Sequence, residues 1–378
     1  MIQKYLLGIV AGLFFLGGCQ KKEFLPVAEN IPSPQQVMLG FKQRLYANQM
    51  DSVFKKYNFN GSVAVFQDSS LVFKKNQGFE DFKNKTIIGS QTVFAIGSVS
   101  KQFTAAMVLQ LYDEGKLKLD DHISDYLPSF KENSPYRDIT VSQLLGHTSG
   151  ISDSGSGLLF KSGSNFSYSN KGYRFLGELA QKVSGKSYDE MAHELFRKAG
   201  MSHSFTSDRF NGVHFAKAYL GTAKHWEEVP DMPARLSRDK ISVSAGGILS
   251  TASDLHKWNQ ALYGGEILKP QTLGMMLKKG MIRNHEILGK CGYGYGIMMN
   301  VSSPESFFHT GYVKGSPSLL VYYPRTRTSL IVLSNIADES LGKNGFFKPH
   351  NTFRHIADVL ETAAGQMSEP SRNVAETN

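Results

Sequence analysis

Residues 94–101 read Phe94-Ala95-Ile96-Gly97-Ser98-Val99-Ser100-Lys101 and place a serine and a lysine three positions apart. Apolar residues follow at helical spacing, at Val99, Phe103, Met107 and Leu111. This pattern predicts that Ser98 lies at a helix N-terminus, where free N–H groups favour a developing negative charge. Lys101 then lies one turn further along the same face. Its apolar neighbours would lower the pKa of the amine, so that it can act as a base toward the serine hydroxyl.

The Ser-x-x-Lys pattern occurs four times, so the pattern alone is a weak indication of catalysis. We interpret the matches that begin at Ser52, Ser237 and Ser340 as helix caps with surface lysines. Only Ser98 is preceded and followed by apolar residues that can form a dry site around the pair. Ser98 and Lys101 are therefore the candidate nucleophile and base.

Tyr-x-Asn occurs twice, at Tyr46-Ala47-Asn48 and at Tyr168-Ser169-Asn170. The first match lies in a predicted N-terminal helix and has no chemical partner. The second lies in a polar loop that leads into an apolar helix. There Tyr168 could relay protons and the Asn170 amide could hold a substrate carbonyl, although ordinary turn chemistry accounts for the same residues equally well.

The segment Phe307-Phe308-His309-Thr310-Gly311 comes just before a strand predicted at 317–323. A glycine here lets a substrate backbone approach a strand edge closely, and Tyr312 after it can donate its backbone N–H. His-Thr-Gly alone is a weak signal. It becomes a strong one because it follows Ser98 and Tyr168 in chain order.

These three motifs together resemble those of the serine β-lactamase and penicillin-binding-protein superfamily. The resemblance points in particular to the class C-like branch of lipoprotein esterases, D-aminopeptidases and carboxypeptidases, and it covers roughly Phe59 to Leu360. Two further stretches are typical of this branch, Leu144-Leu145-Gly146-His147-Thr148-Ser149-Gly150-Ile151 and Ser244-Ala245-Gly246-Gly247-Ile248-Leu249-Ser250-Thr251-Ala252-Ser253-Asp254-Leu255. The resemblance implies an α/β, β-lactamase-like fold with an inserted, mainly helical lobe.

The resemblance also implies a role for each motif. Ser98 matches the nucleophile and Lys101 its activating amine, whereas Tyr168 matches the proton relay, with Asn170 beside it. The backbone N–H groups of Ser98 and Tyr312 would form the oxyanion hole. Whether Lys101 or Tyr168 is the acylation base stays open at this level.

One departure from the family pattern bears on the substrate. The third motif of the family is Lys-Thr-Gly, whereas this chain has His309-Thr310-Gly311, which we expect to bind substrate. Lys161-Ser162-Gly163 also occurs, but it precedes no strand and is interpreted as loop. A histidine with a pKa near its reference value of about 6.5 is mostly neutral at pH 7, unlike the lysine that holds the carboxylate of β-lactams. The resemblance is therefore greater to D-aminopeptidases and esterases than to true β-lactamases.

Apolar periodicity predicts how the catalytic domain, residues 35–364, is organised. Two hairpins lie near its ends, and long helical patterns lie before the first hairpin and after the second. The hairpins are predicted at 61–66 with 70–74 and at 317–323 with 329–333, and the helices at 35–54 and 351–364. We therefore expect one antiparallel sheet built from N- and C-terminal segments and flanked by helices. A cleft between sheet and helical lobe is the expected site.

The first residues of the chain are typical of a targeting signal. Residues 1–18 have one early lysine and a 14-residue uncharged core, which is too short to span a bilayer but typical of a signal peptide. Leu16-Gly17-Gly18-Cys19 resembles a bacterial lipobox, which predicts lipidation at Cys19. An ordinary secretory signal is the alternative. Residues 19–34 are predicted as a tether and 365–378 as a polar tail. We expect a lipid-anchored protein of the bacterial envelope, held on the outer membrane and facing the periplasm.

Composition excludes several other classes. A net charge of +9 spread along the chain, without a basic block, gives no sign of nucleic-acid binding. Two cysteines cannot form a disulfide framework or a cysteine zinc site. No His-Glu-x-x-His occurs, and His350 and His355 are expected at the surface, so no metal or other cofactor is predicted. The expected partners are a small-molecule or peptide substrate, including peptidoglycan-derived ones, and a membrane.

Three functions remain possible from the sequence. The first is a periplasm-facing hydrolase that forms an acyl-enzyme at Ser98 on D-amino-acid amides or peptides, or on esters. The second is a class C-type β-lactamase, and the third is a non-catalytic lipoprotein that binds peptidoglycan or penicillin. The intact set of three motifs favours the first, because a pure binding protein has no need of Lys101.

Overall fold

The computed structural model of the chain describes residues 33–131, 134–238 and 242–367. Its helices are α1 Pro34–Tyr57, α2 Ser100–Asp113, α3 Ile123–Tyr126, α4 Val141–Leu145, α5 Asn170–Ser184, α6 Tyr188–Lys198, α7 Arg235–Arg238, α8 Val243–Gly246, α9 Ala252–Tyr263, α10 Pro270–Met276, α11 Gly342–Phe346 and α12 Lys348–Met367. Short 3-10 turns lie at Gly97–Val99, Pro128–Phe130 and Glu339–Leu341.

The strands are β1 Gly61–Gln67, β2 Ser70–Gln77, β3 Phe79–Asp81, β4 Thr86–Ile87, β5 Phe94–Ala95, β6 Phe205–Thr206, β7 Tyr219–Gly221, β8 Trp226–Glu228, β9 Ile248–Ser250, β10 Ile282–His285, β11 Gly289–Tyr293, β12 Met298–Asn300, β13 Phe307–Val313, β14 Ser316–Tyr323, β15 Thr328–Ser334 and β16 Ile336–Ala337. The main sheet has the order β10-β11-β12-β13-β14-β15-β1-β2, and its neighbouring strands are antiparallel.

The main sheet joins the two ends of the domain. β1 pairs with β15, with Val63 opposite Val332, although about 270 residues separate them in the chain. The predicted hairpins are β1–β2 and β14–β15. The expected α/β architecture, with an antiparallel sheet built from N- and C-terminal segments, is therefore confirmed.

Both faces of the sheet are buried. Along β15, Leu330 and Val332 pack under α1 and α12, whereas Ile331 and Leu333 face the core of the helical lobe. A strand that is covered on both faces has apolar residues at successive positions. This explains the unbroken apolar run at residues 330–333 of β15. The helical lobe surrounds α2, whose residues from Ser100 to Leu109 are all buried.

The ends of the domain differ slightly from the expected ones. α1 begins at Pro34, because Ser33 forms a capping box with Gln36. α12 continues to Met367, so residues 365–367 of the predicted polar tail are helical, and Gly365 is buried. The helix thus passes through Gly365, although a glycine is a common helix stop signal. The signal peptide, Cys19 and the tether up to residue 32 lie outside the described residues, as do 368–378.

Two further findings concern surfaces. His350 is buried, with Nε2 3.1 Å from the carbonyl oxygen of Pro317, so the expectation that it lies at the surface is wrong. Its position on the face of α12 that packs on the sheet is the reason. In the part of the chain that the structure describes, we find no helix with the length and apolar character needed to cross a bilayer.

Candidate active site

A tight turn holds Ser98 just before α2. β5 pairs with β9 and leads into the 3-10 turn Gly97–Val99, and α2 begins at Ser100. Gly97 has a φ of +51°, and a Cβ there would lie 2.6 Å from the backbone nitrogen of Tyr312. Glycine is required here by conformation and by close approach. Ser98 thus lies in the turn that precedes the α-helix, two residues earlier than its first residue.

Lys101 is fully buried, and its amine has three polar neighbours. Nζ lies 3.2 Å from Ser98 Oγ, 2.8 Å from Asn170 Oδ1 and 2.7 Å from the carbonyl oxygen of Ala245. Burial lowers the pKa of Lys101 to about 7, because the charged form loses its hydration, and the Asp153 carboxylate opposes this shift. At neutral pH a large share of the amine is therefore uncharged.

These contacts suit proton transfer from the serine. A neutral amine has two N–H groups and one lone pair. Asn170 Oδ1 and the Ala245 carbonyl can only accept, so they take both N–H groups. The lone pair is left for the hydroxyl proton of Ser98. Lys101 can therefore take that proton without breaking its other hydrogen bonds.

Tyr168 lies beside the same amine. Its ring centroid is 4.8 Å from Lys101 Nζ and 4.3 Å from the His147 ring. Burial raises the pKa of Tyr168, and the nearby Ser98 hydroxyl and Arg283 guanidinium offset only part of the rise. Among the described residues its buried hydroxyl has no partner with ordinary hydrogen-bond geometry. Tyr168 is thus a neutral phenol with a hydroxyl available for proton transfer.

Asn170 begins α5, and a carboxylate from the preceding loop holds its backbone and side chain. Asp153 accepts hydrogen bonds from the backbone N–H of Asn170 and from its Nδ2, both at 3.1 Å. The sequence does not single out Asp153, because an acidic residue near a helix N-terminus is common in any protein. The only available signal is that it follows the 144–151 stretch by two residues.

The third motif lies on β13, at an edge that faces the 3-10 turn Gly97–Val99. We call this turn the nucleophile turn, because it holds the candidate nucleophile Ser98. Within the described residues β12 pairs with β13 only at Phe307 and Phe308, so the strand from His309 onward has no partner on that side. A Cβ at Gly311 would lie 1.9 Å from the carbonyl oxygen of Ile96. The strand therefore passes directly against the turn. This brings the backbone nitrogen of Tyr312 next to the turn, as the predicted oxyanion hole needs; the role itself stays a prediction.

A chain of hydrogen bonds runs from Ser169 to Thr310. The Ser169 N–H donates to His147 Nδ1 at 3.2 Å, and His147 Nε2 lies 3.1 Å from the Tyr293 hydroxyl. The same hydroxyl lies 3.1 Å from His309 Nε2. His309 Nδ1 lies 2.6 Å from the carbonyl oxygen of Thr310. These hydrogen bonds therefore link the second and third motifs through His147, from the 144–151 stretch, and through Tyr293, which the sequence did not single out.

The ends of this chain fix its direction. A carbonyl only accepts, so His309 carries its proton on Nδ1, and a backbone N–H only donates, so His147 carries its proton on Nε2. Tyr293 then accepts from His147 and donates to His309. Burial and the charge of Lys101 lower the pKa of both imidazoles well below the ordinary value, so both rings stay neutral.

His309 reaches the site differently from the expectation. Its ring is fully buried and both of its nitrogens are bonded, so its side chain does not face a substrate in this structure. Thr310 is also buried, and its carbonyl oxygen accepts the hydrogen bond from His309 Nδ1. The part of the motif that lies against the Ser98 turn is the backbone of β13 at Gly311 and Tyr312.

Arg283 on β10 adds a positive charge that the sequence did not single out. Its guanidinium carbon lies 4.8 Å, 5.5 Å and 5.8 Å from the ring centroids of Phe166, Tyr168 and Tyr293. Nη2 contacts the Met298 sulfur at 3.8 Å, and Nε is buried without a hydrogen-bond partner in the described part of the chain. A cation with such weak partners lies beside Tyr168.

Over residues 33–131, 134–238 and 242–367 we find no group of three or more His, Cys, Asp or Glu side chains that could hold a metal ion. Cys291, on β11, is buried, and burial raises the pKa of its thiol.

Comparison with known proteins gives the family. The family model for beta-lactamase matches residues 44–345. The chain belongs to the beta-lactamase family. Penicillin-binding protein 4* of Bacillus subtilis (strain 168) is 26% identical over 365 aligned residues, which cover 85% of this chain and 79% of that protein. The resemblance to the serine β-lactamase and penicillin-binding-protein superfamily is therefore confirmed.

Solved structures show the same beta-lactamase fold. D-amino acid amidase of Ochrobactrum anthropi SV3 has a TM-score of 0.69 at 20% identity, covering 85% of this chain and 99% of the other. The hydrolase EstCE1 has a TM-score of 0.68 at 20% identity, covering 84% and 99%. Members of the beta-lactamase family are serine hydrolases, amidases and esterases among them.

Proposed function

We propose that this chain is a serine hydrolase that forms an acyl-enzyme at Ser98 and acts on D-amino-acid amides or peptides, or on esters, with little or no β-lactamase activity. The observation that carries the proposal is the buried amine of Lys101, with a pKa of about 7, 3.2 Å from the Ser98 hydroxyl. Burying a lysine without a paired carboxylate costs free energy. Such a lysine in contact with a nucleophile is typical of a catalytic site.

Acylation follows from these contacts. The lone pair of Lys101 Nζ takes the proton of Ser98 while Oγ bonds to the substrate carbonyl carbon. The oxyanion lies between the backbone N–H groups of Ser98 and Tyr312, each worth about 2.7–4 kcal/mol in such sites. The proton then passes from Lys101 to the leaving nitrogen or oxygen through the Tyr168 hydroxyl, and the scissile bond breaks. In deacylation, water attacks the acyl carbon and gives its proton to Lys101 or Tyr168, and that proton returns to Ser98 Oγ as the acyl group leaves.

The pKa directions favour Lys101 over Tyr168 as the base. Burial lowers the pKa of Lys101 to about 7 and raises that of Tyr168, so at pH 7 the amine has a populated neutral form whereas the phenolate is scarce. A general base works best when its pKa lies near the operating pH. Tyr168 therefore acts as a proton relay in its neutral form.

The third motif supports an uncharged recognition group on the substrate. The His309 ring is neutral and buried, so β13 offers its backbone edge without the cation that Lys-Thr-Gly would supply. Amides and esters need no such cation. The fold shared with a protein described as a D-amino acid amidase supports the same substrate class.

Arg283 favours a second candidate, an enzyme for carboxylate-bearing substrates such as β-lactams or peptides ending in a free carboxylate. Its guanidinium has no carboxylate partner among the described residues and lies near Tyr168. An arginine can bind a carboxylate through two parallel hydrogen bonds. Arg283→Gln separates the two candidates: the second requires a higher KM for nitrocefin or a D-Ala-D-Ala peptide, with the KM for a neutral ester unchanged.

We further propose that Cys19 carries the lipid and that the enzyme faces the periplasm from the outer membrane. The support is the sequence 1–19 alone. Expression of the full chain in a bacterium with a lipoprotein pathway tests this. We expect the protein in the outer-membrane fraction, with an acylated N-terminal peptide by mass, and expect Cys19→Ala to lose both.

A substrate panel tests the catalytic proposal. The full chain is incubated with p-nitrophenyl esters, D-amino-acid amides, muropeptides and nitrocefin, and its mass is read for an adduct. We expect an adduct on Ser98 with esters or amides, slow nitrocefin turnover, and no adduct on Ser98→Ala. Ser52→Ala, at an exposed Ser-x-x-Lys match, is the matched control and should behave as wild type.

Two results would contradict the proposal. Equal labelling of wild type and Ser98→Ala would place the nucleophile elsewhere. Binding to cell wall that survives Ser98→Ala, without turnover of any panel member, would support the non-catalytic alternative.

A further inference from the structure

Asp153 gathers the loop that holds the second motif. Its carboxylate accepts hydrogen bonds from Ser169 Oγ at 2.9 Å and from the Lys171 N–H at 2.9 Å. It also accepts the backbone N–H and the Nδ2 of Asn170, both at 3.1 Å. One side chain thus binds three consecutive residues at the start of α5. The negative charge also suits the positive end of the 15-residue helix.

The bond to Nδ2 decides which way the Asn170 amide faces. The two ends of a carboxamide have nearly the same shape but opposite hydrogen-bonding roles. Because Asp153 can only accept, it holds the NH₂ end, and Oδ1 must point the other way. Oδ1 lies 2.8 Å from Lys101 Nζ. A flipped amide would place two N–H groups against the amine, and the amine would lose an acceptor.

We propose that Asp153 is a positioning residue for acylation, which fixes the Asn170 amide so that its carbonyl oxygen orients the Lys101 amine toward Ser98. The proposal rests on the serine-hydrolase function proposed above. Without this acceptor the amine can rotate, and its lone pair is no longer held toward the hydroxyl. Asp153 takes no direct part in the reaction, because its hydrogen bonds go to Ser169, Asn170 and Lys171 and not to Ser98 or Lys101.

Charge gives a second consequence. The ionisable groups that face or act on the Lys101 amine from the surrounding elements are Tyr168, Tyr173, His147, His309 and Asp153. Burial keeps the two tyrosines and the two histidines neutral. Among them Asp153 supplies the negative charge, which raises the pKa of Lys101. Its removal therefore lowers that pKa further, since the protonated amine loses a favourable interaction.

Asp153→Asn tests both consequences, with Asp138→Asn as the control. Asp138 is also acidic and exposed, and its variant changes the net charge equally. The first measurement is the acylation rate of a p-nitrophenyl ester against pH. For Asp153→Asn we expect a plateau rate roughly 10- to 100-fold lower, as for a displaced catalytic group, and an acid limb shifted to lower pH. Asp138→Asn should keep the plateau and the limb of the wild type.

The second measurement does not need turnover. Protein labelled with ¹³C-lysine is titrated by NMR, and the Lys101 signal is assigned by its loss in Lys101→Arg. We expect a lower Lys101 midpoint in Asp153→Asn than in wild type or Asp138→Asn. Thermal melting of each variant shows whether the protein is folded. A purely structural role would lower the melting temperature and leave the Lys101 midpoint unchanged.

The outcomes separate this inference from the proposed function. A wild-type plateau and an unmoved acid limb in Asp153→Asn would overturn the positioning role while the hydrolase stands. If wild type itself forms no acyl-enzyme, the hydrolase proposal fails, and the lysine titration still decides: an unchanged Lys101 midpoint overturns the inference and a lowered one supports it.

Discussion

Lys101 shows that the chemistry of a lysine depends more on the burial of its amine than on its spacing from a serine. Lys55 and Lys343 follow Ser52 and Ser340 at the same spacing, but both are exposed. The α2 segment from Ser100 to Leu109 is buried instead, and residues from α5 and α8 close over the Lys101 amine. Dehydration of one cation is thus the central physical effect at this scale.

The first prediction concerns this lysine and pH. With a pKa of about 7, Lys101 is protonated and unable to act as a base at low pH, so the acylation rate should rise through about pH 7 and level off above it. Lys101→Arg keeps the positive charge at every accessible pH and should lower the plateau about 10²–10⁴-fold. The check is a pH–rate profile of ester acylation, with Lys55→Arg as the control. A bell centred near pH 10, or an active Lys101→Arg, would contradict it.

At the scale of elements, the site depends on how β13 meets its neighbours. Gly97 and Gly311 let the nucleophile turn and the strand approach more closely than any side chain would permit. Tyr293 at the end of β11 then ties the His309 ring to His147, from the loop after α4. Because each partner in this chain has one available role, the ring positions are determined together.

The second prediction removes the middle of that chain. Tyr293→Phe leaves a buried N–H of His147 and a buried nitrogen of His309 without partners, which should cost about 1–3 kcal/mol of unfolding free energy for each group. The acylation rate should also fall, since the His309 ring no longer holds β13 in place. Tyr295→Phe, half-buried on the same segment, is the control. Urea unfolding measures the loss of stability, and ester acylation measures the loss of rate. Equal stability of the two variants would show that the hydrogen bonds of Tyr293 to His147 and His309 do not stabilise the fold.

At the scale of the whole molecule, the two ends of the domain are joined through one sheet and the helices on it. α1 and α12 pack on the same face, where Phe353 lies 5.3 Å from Phe54 and 5.2 Å from Phe59 between ring centroids. The Glu361 carboxylate pairs with Lys42 of α1 at 2.8 Å. Tyr293 belongs to the same buried core and Tyr168 packs against it, so closure of the sheet also supports the site.

The third prediction tests this closure. Phe353→Ala leaves a cavity among fully buried rings and should cost about 3–5 kcal/mol of unfolding free energy. Phe41→Ala, on an exposed face of α1, should change stability by only about 0.5 kcal/mol. Chemical denaturation of both variants gives the comparison. Similar midpoints for the two would mean that the ends of the domain are not held through this core.

Much of the fold and part of the site could be predicted from local patterns. Alternating and helical periodicities located both hairpins and the terminal helices, and the three motifs located Ser98, Lys101, Tyr168, Asn170 and the β13 edge. These patterns are readable because side-chain direction along a strand or helix is set by the backbone itself. The resemblance to a known superfamily supplied the roles, and the family match now agrees with it.

From the residues alone it could be predicted which side chains are candidates for catalysis and that the chain folds around one sheet. The three-dimensional arrangement was needed to show that the Lys101 amine is buried against Asn170 and Ala245, that Asp153 binds the Asn170 amide, and that His309 is buried and neutral. The reason is that hydration and hydrogen-bond direction depend on groups brought close in space from distant parts of the chain. No spacing along the sequence records which groups those are.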